Sequence, residues 1–205
     1  MIIDGKKIAE EIKEELKNQI KKSGKKLKLG IVQVGDNFIS QKFIERKIKF
    51  AEEIGVETEV YNLPDNISTS ELCKKLEEIC SDQENNGVIL QLPLPEHINT
   101  QQALDNIISE KDVDILSSRA FGGKILTPVA GAIKEILGRN NIDVRGKNAV
   151  VVGSGLLVGK PSAIWLMSQG ATVSIINEYT KNPKTYTLMA DIIISGVGKP
   201  SLIKS

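Results

Sequence analysis

Two groups of residues in this chain have the types and spacing to do chemistry. The first is Asn148-Ala-Val-Val-Val-Gly153-Ser154-Gly155-Leu-Leu-Val158-Gly159-Lys-Pro161, an apolar run that enters a GxGxxxG turn and leaves as a helix. Glycines there let the backbone bend sharply and approach a pyrophosphate, and the helix start beyond them offers free N–H groups to the anion. Three residues rather than two precede the last glycine, a departure from the usual dinucleotide fingerprint. A tight turn whose glycines serve packing alone is the other reading. Glu178 ends the next apolar run, 25 positions after Gly153. An acid in that place hydrogen-bonds adenosine ribose hydroxyls and repels a 2′-phosphate, and a solvated surface glutamate is the alternative. The second group is Lys47, Gln91 and Asp112-Val-Asp114. Lys47 follows Phe43 by one helical turn, so both can face one cleft. Gln91 directly follows Val88-Ile89-Leu90, the carboxyl end of a parallel strand, where ligands bind in open α/β sheets. Asp112 and Asp114 stand at a proposed domain boundary, another favoured pocket location. Singly, the three also read as an exposed helix lysine, a strand-end amide and a helix-capping acid.

The elements that must position these groups alternate. Ile8, Ile12, Leu16 and Ile20 recur every four residues as one helix face. A strand at 27–34, a helix at 37–54 closed by Gly55 and a strand at 56–63 follow. Ser68 or Thr69 caps a helix to about Cys80, a strand covers 87–90, and a helix is expected over 99–108. After a polar connection from Asp112 to Gly123, the alternation restarts with a helix near 128–138 and a strand at 148–152. A helix at 158–169, a strand at 172–176, a polar segment and a strand at 191–195 complete it. Strands separated by helices of this length imply βαβ units and parallel sheets. The expected fold is α/β: an N-terminal α/β substrate domain, 1–118, followed by an incomplete Rossmann-like parallel-sheet domain, 119–205.

Composition narrows the function classes. The 205 residues carry 27 Lys+Arg against 26 Asp+Glu, a balance that argues against a general nucleic-acid binder. The first 120 residues carry a net −5 and the remainder a net +6, and a basic C-terminal part suits a phosphate-bearing ligand. Two cysteines make no disulfide scaffold, and with one histidine they make a poor zinc site, so no metal is expected. The N-terminus is too polar for a signal peptide, and no apolar run reaches the roughly 20 residues that span a bilayer. A cytoplasmic protein without membrane contact is the expectation.

Taken together, these motifs resemble a known family. Val34-Gly-Asp-Asn-Phe-Ile-Ser40-Gln-Lys-Phe43-Ile-Glu-Arg-Lys47-Ile-Lys49, Gln91-Leu-Pro-Leu-Pro95, Lys111-Asp-Val-Asp114, Thr127-Pro128, Val158-Gly-Lys-Pro161 and Gly196-Val197-Gly198-Lys-Pro200 stand in the order seen in the methylenetetrahydrofolate dehydrogenase/cyclohydrolase family. The resemblance covers essentially the whole chain. It implies oxidation of 5,10-methylenetetrahydrofolate by a nicotinamide cofactor, then hydrolysis of the methenyl cation to 10-formyltetrahydrofolate. By motif position, Lys47 matches the family's catalytic lysine, Gln91 the glutamine that orients it, and Asp114 the acid that bonds the pterin ring. Phe43 falls where the family has a tyrosine stacking on the aminobenzoyl ring, and Ser40 matches a serine at the same cleft. The chemistry is expected in a cleft between the two domains. Gly153, Ser154, Gly155, Val158, Gly159, Glu178, Tyr179, Gly196, Val197 and Gly198 match the cofactor-binding positions. Tetrahydrofolate derivatives and a second copy of the chain, as a homodimer, are the partners implied.

The sequence also departs from the family pattern. The arginine and serine before Val158-Gly-Lys-Pro161 are Ser154 and Gly155 here, and the stretch after the next strand, Ile176-Asn-Glu178-Tyr179-Thr180, lacks its arginine. NADP is the family habit, but those losses together with Glu178 favour NAD. Ile115 replaces the glycine expected after Asp114, and Ala120 an expected asparagine. A further strand, a closing loop and a C-terminal helix of the family have no counterpart after Ser205, which leaves a three-stranded cofactor sheet with an uncovered edge: the chain reads most simply as a fragment, the alternatives being a dimer partner that covers the gap or a loss of the chemistry. Two rival readings stand beside the bifunctional enzyme. One is a non-catalytic fragment or pseudoenzyme that binds folate or dinucleotide, the other a dehydrogenase of the shikimate type.

Overall fold

The computed structural model describes residues 2–119, 125–199 and 202–203, so that Ala120 and Pro200 lie outside the described residues. The chain divides into two compact units, Met1–Ala120 and Phe121–Ser205.

In the first unit, helices and strands alternate as α1 (Gly5–Ser23), β1 (Leu27–Val34), α2 (Phe38–Ile54), β2 (Val56–Leu63), α3 (Thr69–Ser81), β3 (Gly87–Leu90) and α4 (Thr100–Leu104). The strands form a parallel sheet in the order β2-β1-β3. β3 is buried at every position, and Ile31 and Val32 of β1 are fully buried, as a sheet covered on both faces requires. Local chemistry sets the helix ends. Asn37 caps α2 by accepting from the N–H groups of Ile39 and Ser40, and Ser68 with Glu71 forms a reciprocal capping box on α3. The periodic face of α1 is only half-buried, and none of its residues is fully buried.

The second unit contains α5 (Pro128–Arg139), β4 (Asn148–Val152), α6 (Gly159–Ser168), β5 (Thr172–Ile176), α7 (Pro183–Leu188) and β6 (Ile192–Ser195). Its parallel sheet runs β5-β4-β6. Ala149 and Val151 pack with Ala163, Trp165 and Leu166 on one face, against Ile133 and Leu137 of α5. Val150, Val152 and Ile176 form a smaller cluster with Ala190 and Val197 on the other.

Both architecture and element order agree with the sequence reading, with two local differences. The helix expected over 99–108 ends at Leu104, because its next residues turn their side chains on the backbone. Asn106 donates to the Gln102 carbonyl at 2.8 Å, and the Asp105 carboxylate accepts from the Ser118 N–H at 2.7 Å; such side-chain bonds compete with helix propagation. The polar segment after β5 contains a helix, α7, started by Pro183 after Asn182 in a left-handed conformation.

Each sheet places its middle strand between neighbours reached by crossovers in opposite directions. That arrangement opens a crevice at the strand's carboxyl end. In the second unit the glycine turn fills this position. Gly153 adopts φ +98°, and a Cβ on Gly159 would collide with the backbone carbonyl of Gly153, whereas a Cβ on Gly155 would meet nothing within 4 Å. Gly159→Ala should therefore lower the stability of this unit by about 1–3 kcal/mol, the scale of overpacking against a backbone that cannot yield. Gly155→Ala should leave the thermal midpoint near that of the parent chain. Equal midpoints for the two variants would refute this packing.

Candidate active site

Three of the residues singled out in the first unit meet at one point. The Lys47 ammonium donates to Gln91 Oε1 at 3.3 Å and pairs with Asp114 Oδ2 at 3.6 Å. Each arrives on a different element. Lys47 stands on the third turn of α2, on the flank next to the buried row of Ser40, Ile44 and Ala51. Gln91 follows β3 and is fixed at both ends: its backbone N–H donates to the Val32 carbonyl at 2.9 Å, and its side-chain Nε2 donates to the Leu92 carbonyl at 2.7 Å. That second bond orients the amide so that its oxygen faces Lys47. Asp114 lies on the loop after an isolated parallel bridge between Val88 and Asp112, beside β3.

The pair is sheltered without being sealed: the Lys47 side chain is 32% exposed and that of Asp114 20%. Burial raises the Asp114 carboxyl above the ordinary aspartate value, and the Asp112 charge adds to this, while Lys47 opposes it. A lysine ammonium has three donors. Two point to the amide and the carboxylate, and the third is left for water or a ligand.

Phe43, one turn before Lys47, is half-exposed, with the Arg46 guanidinium 5.9 Å from its ring centre. One ring face can therefore receive a flat ligand. Ser40 is buried, and its hydroxyl lies 3.5 Å from the Leu92 carbonyl, so it meets the segment after β3 rather than solvent.

The structure adds a residue to which the sequence reading gave no role of its own. Asp112 is 3% exposed and accepts from the N–H groups of Ile115 and Ser117, each at 2.9 Å. Ile115 adopts φ +55°, a left-handed conformation costly for a β-branched residue, on the order of 1–3 kcal/mol. The sequence signal was an isoleucine where the family pattern has glycine.

In the second unit the turn residues also converge. Gly153 donates to the Ile176 carbonyl at 2.7 Å, a Cβ on Gly153 would press on Val197, and a Cβ on Gly196 would press on Val158. Gly153, Val158, Gly159, Gly196 and Val197 thus form one close-packed cradle at the carboxyl ends of β4 and β6. Val158 stands at the start of α6 without a side-chain cap, and in that first turn the Lys160 N–H donates to the Gly155 carbonyl at 3.1 Å. Ser154 and Gly155 lie on the turn itself, and Gly198 has open space around it. Glu178 and Tyr179 follow β5 in an exposed turn. Asn177 accepts there from the Tyr179 N–H at 3.1 Å, and Thr180 Oγ1 accepts from the Asn177 N–H at 2.9 Å. The cradle suits a pyrophosphate, and the exposed Glu178 carboxylate at the exit of the neighbouring strand suits a ribose diol. Among the described residues, no cluster of His, Cys, Asp or Glu could hold a metal, and no helix is long and apolar enough to cross a membrane.

A raised carboxyl has a stability signature. The stability associated with protonated Asp114 is present below the ordinary aspartate value of 3.8 and is lost as pH rises through its higher folded value. Asp114→Asn should therefore gain stability over the parent chain as pH rises from 3 to 7 in urea titrations. Lys47→Met should move the Asp114 carboxyl's ¹³C titration to still higher pH. A downward move would contradict the ion pair.

Residues 3–114 match the tetrahydrofolate dehydrogenase/cyclohydrolase catalytic domain, and residues 126–205 match the NAD(P)-binding domain of the same family. A bifunctional protein FolD from Sulfurihydrogenibium sp. is 38% identical over 99% of this chain and 75% of its own length. The crystal structure of the bifunctional enzyme FolD, methylenetetrahydrofolate dehydrogenase/cyclohydrolase, from Campylobacter jejuni is similar at a TM-score of 0.93 and 37% identity, over 98% of this chain and 75% of that one. The Trypanosoma brucei dehydrogenase-cyclohydrolase, complexed with NADP and an inhibitor, is similar at a TM-score of 0.91 and 28% identity, over 99% of this chain and 73% of that one. Agreement across both units sets aside the shikimate-type reading. The chain belongs to the tetrahydrofolate dehydrogenase/cyclohydrolase family, a family of enzymes.

Proposed function

We propose that this protein oxidises 5,10-methylenetetrahydrofolate to the methenyl form and hydrolyses that to 10-formyltetrahydrofolate. The observation that carries the reading is the Lys47 ammonium held between Gln91 and Asp114. The Asp114 carboxylate accepts from N–H donors of a pterin ring, and Phe43 stacks on the aminobenzoyl ring that follows. This places the one-carbon bridge near Lys47 Nζ. When water adds to the methenyl carbon, the attacking oxygen gives up both of its protons in turn, one to the departing nitrogen and the other to solvent. Lys47, as the free amine, takes the first and returns it as the ammonium to that nitrogen, and Gln91 keeps Nζ on line by accepting one of its N–H bonds. A half-sheltered site suits this step, because restricting bulk water limits proton leakage from the reacting groups.

The cofactor is a nicotinamide dinucleotide, which supplies the hydride acceptor when bound. Gly153, Ser154, Gly155 and the start of α6 would hold its pyrophosphate. Val158, Gly196, Val197 and Gly198 would line the same cradle, and Glu178 with Tyr179 would meet the adenosine ribose. The exposed Glu178 carboxylate favours NAD, because it accepts from two ribose hydroxyls and repels a 2′-phosphate.

Absorbance of the reduced cofactor tests this directly. Methylenetetrahydrofolate with NAD should give turnover, with kcat/KM for NAD about 10-fold or more above that for NADP, a difference of about 1.4 kcal/mol. Glu178→Ser should narrow that ratio. A flat trace with both cofactors from folded protein would remove the dehydrogenase, and calorimetric binding without turnover would leave a binding protein instead. Lys47→Ala should abolish methenyl hydrolysis while folate still binds; unchanged hydrolysis would remove the lysine's role.

A further inference from the structure

The loop that carries Asp114 is tied down more firmly than its sequence requires. Its backbone joins β3 through the Val88–Asp112 bridge, where the Val88 N–H donates to the Lys111 carbonyl at 2.7 Å. The Lys111 ammonium donates to the carbonyls of Cys80 and Asp82 at the end of α3, each at 2.7 Å. Beyond that anchor the chain turns through Ile115, whose left-handed backbone is stabilised by few intrinsic preferences. What does hold it is the buried Asp112 carboxylate, one oxygen on the Ile115 N–H and the other on that of Ser117, together with the burial of the Ile115 side chain.

We infer that Asp112 is a positioning residue for the Lys47–Asp114 pair: by clamping the N–H groups of Ile115 and Ser117 it holds the loop in the one conformation that presents the Asp114 carboxylate to Lys47. Because the same bridge joins Asp112 to β3, the clamp fixes the acid relative to the strand that delivers Gln91. Amide and acid, the two groups that flank the ammonium, thus share one scaffold. A carboxylate is needed at 112, since it offers two acceptor oxygens to two N–H donors. An asparagine offers one acceptor and turns its NH2 group against the other donor. Any extended backbone at Ile115 would redirect the peptide unit joining it to Asp114. Asp112 touches no ligand in this scheme and acts only through Asp114.

The inference rests on the proposed reading that Asp114 meets the folate ring, and the experiment separates the two. Steady-state kinetics of the full chain would compare the parent, Asp112→Asn, Ile115→Gly and the double variant, each well below its thermal midpoint. Asp112→Asn should raise KM for methylenetetrahydrofolate at least 10-fold while leaving KM for the dinucleotide within twofold. Adding Ile115→Gly should recover part of that loss, because glycine adopts the left-handed conformation without a clamp. A lower midpoint with unchanged folate KM, or a double variant no better than Asp112→Asn, would overturn the positioning role. If Asp112→Asn does not fold, amide exchange on the parent chain decides. The Ile115 and Ser117 N–H groups should exchange at least 10-fold more slowly than that of Asp114, and equal rates would refute the clamp. An inactive parent chain would instead count against the proposed function, and amide exchange would still read the clamp.

Discussion

An ammonium group at the edge of a protein core is a conditional presence. It stays only if acceptors on the protein replace the water it gives up, and they must not saturate it if it is to serve a ligand. Here the acceptors are one neutral oxygen, from Gln91, and one charged oxygen, from Asp114, at 3.3 and 3.6 Å from Lys47 Nζ. They stand 44 and 67 residues beyond Lys47 in the sequence, so a helix, a strand exit and a loop must all be in register for the site to exist. The parallel sheet supplies that register. β1 and β3 are hydrogen-bonded neighbours, so the helix leaving β1 and the glutamine leaving β3 emerge at the same end. Most of the first unit can be understood as the frame for this contact.

The two sheets solve a similar problem by different means. In the first unit the crevice at the middle strand is lined by side chains, and polar groups converge on one cation. In the second unit it is lined by backbone, and the residues around it are nearly all glycines or small apolar groups packed against each other. Side chains give directed acceptors and donors at fixed positions. A bare backbone gives close approach, which a pyrophosphate needs and a ring system does not. The chemistry expected of each unit follows from this difference in lining.

Much of this was legible in the sequence because it is written in local patterns. Apolar runs bounded by Gly and Pro mark β1, β3 and β4, the Ser68/Glu71 pair marks the start of α3, and the glycine turn announces itself between a strand and a helix. Lys47, Gln91 and Asp114 were visible singly from their settings but as one group only through ordered motifs, since neither periodicity nor spacing says that residues 47, 91 and 114 touch. The shortened α4 escaped because its end is set by Asn106 and Asp105 turning to backbone partners, one of them thirteen residues away. The role of Asp112 escaped for a related reason: a buried carboxylate that holds two backbone N–H groups has no periodic signature. Its one trace was the isoleucine at 115, in a place where the backbone needs a glycine-like conformation.

The exposed turn after β5 contrasts with the cradle beside it. Glu178 and Tyr179 are held by little more than Asn177 and Thr180 and bury nothing in the core, whereas Gly159 is wedged against the carbonyl of Gly153. Substitution at 178 or 179 leaves packing untouched, while substitution at 159 does not. On the proposed reading, the choice between one dinucleotide and the other can therefore change without disturbing the packing on which holding a dinucleotide depends.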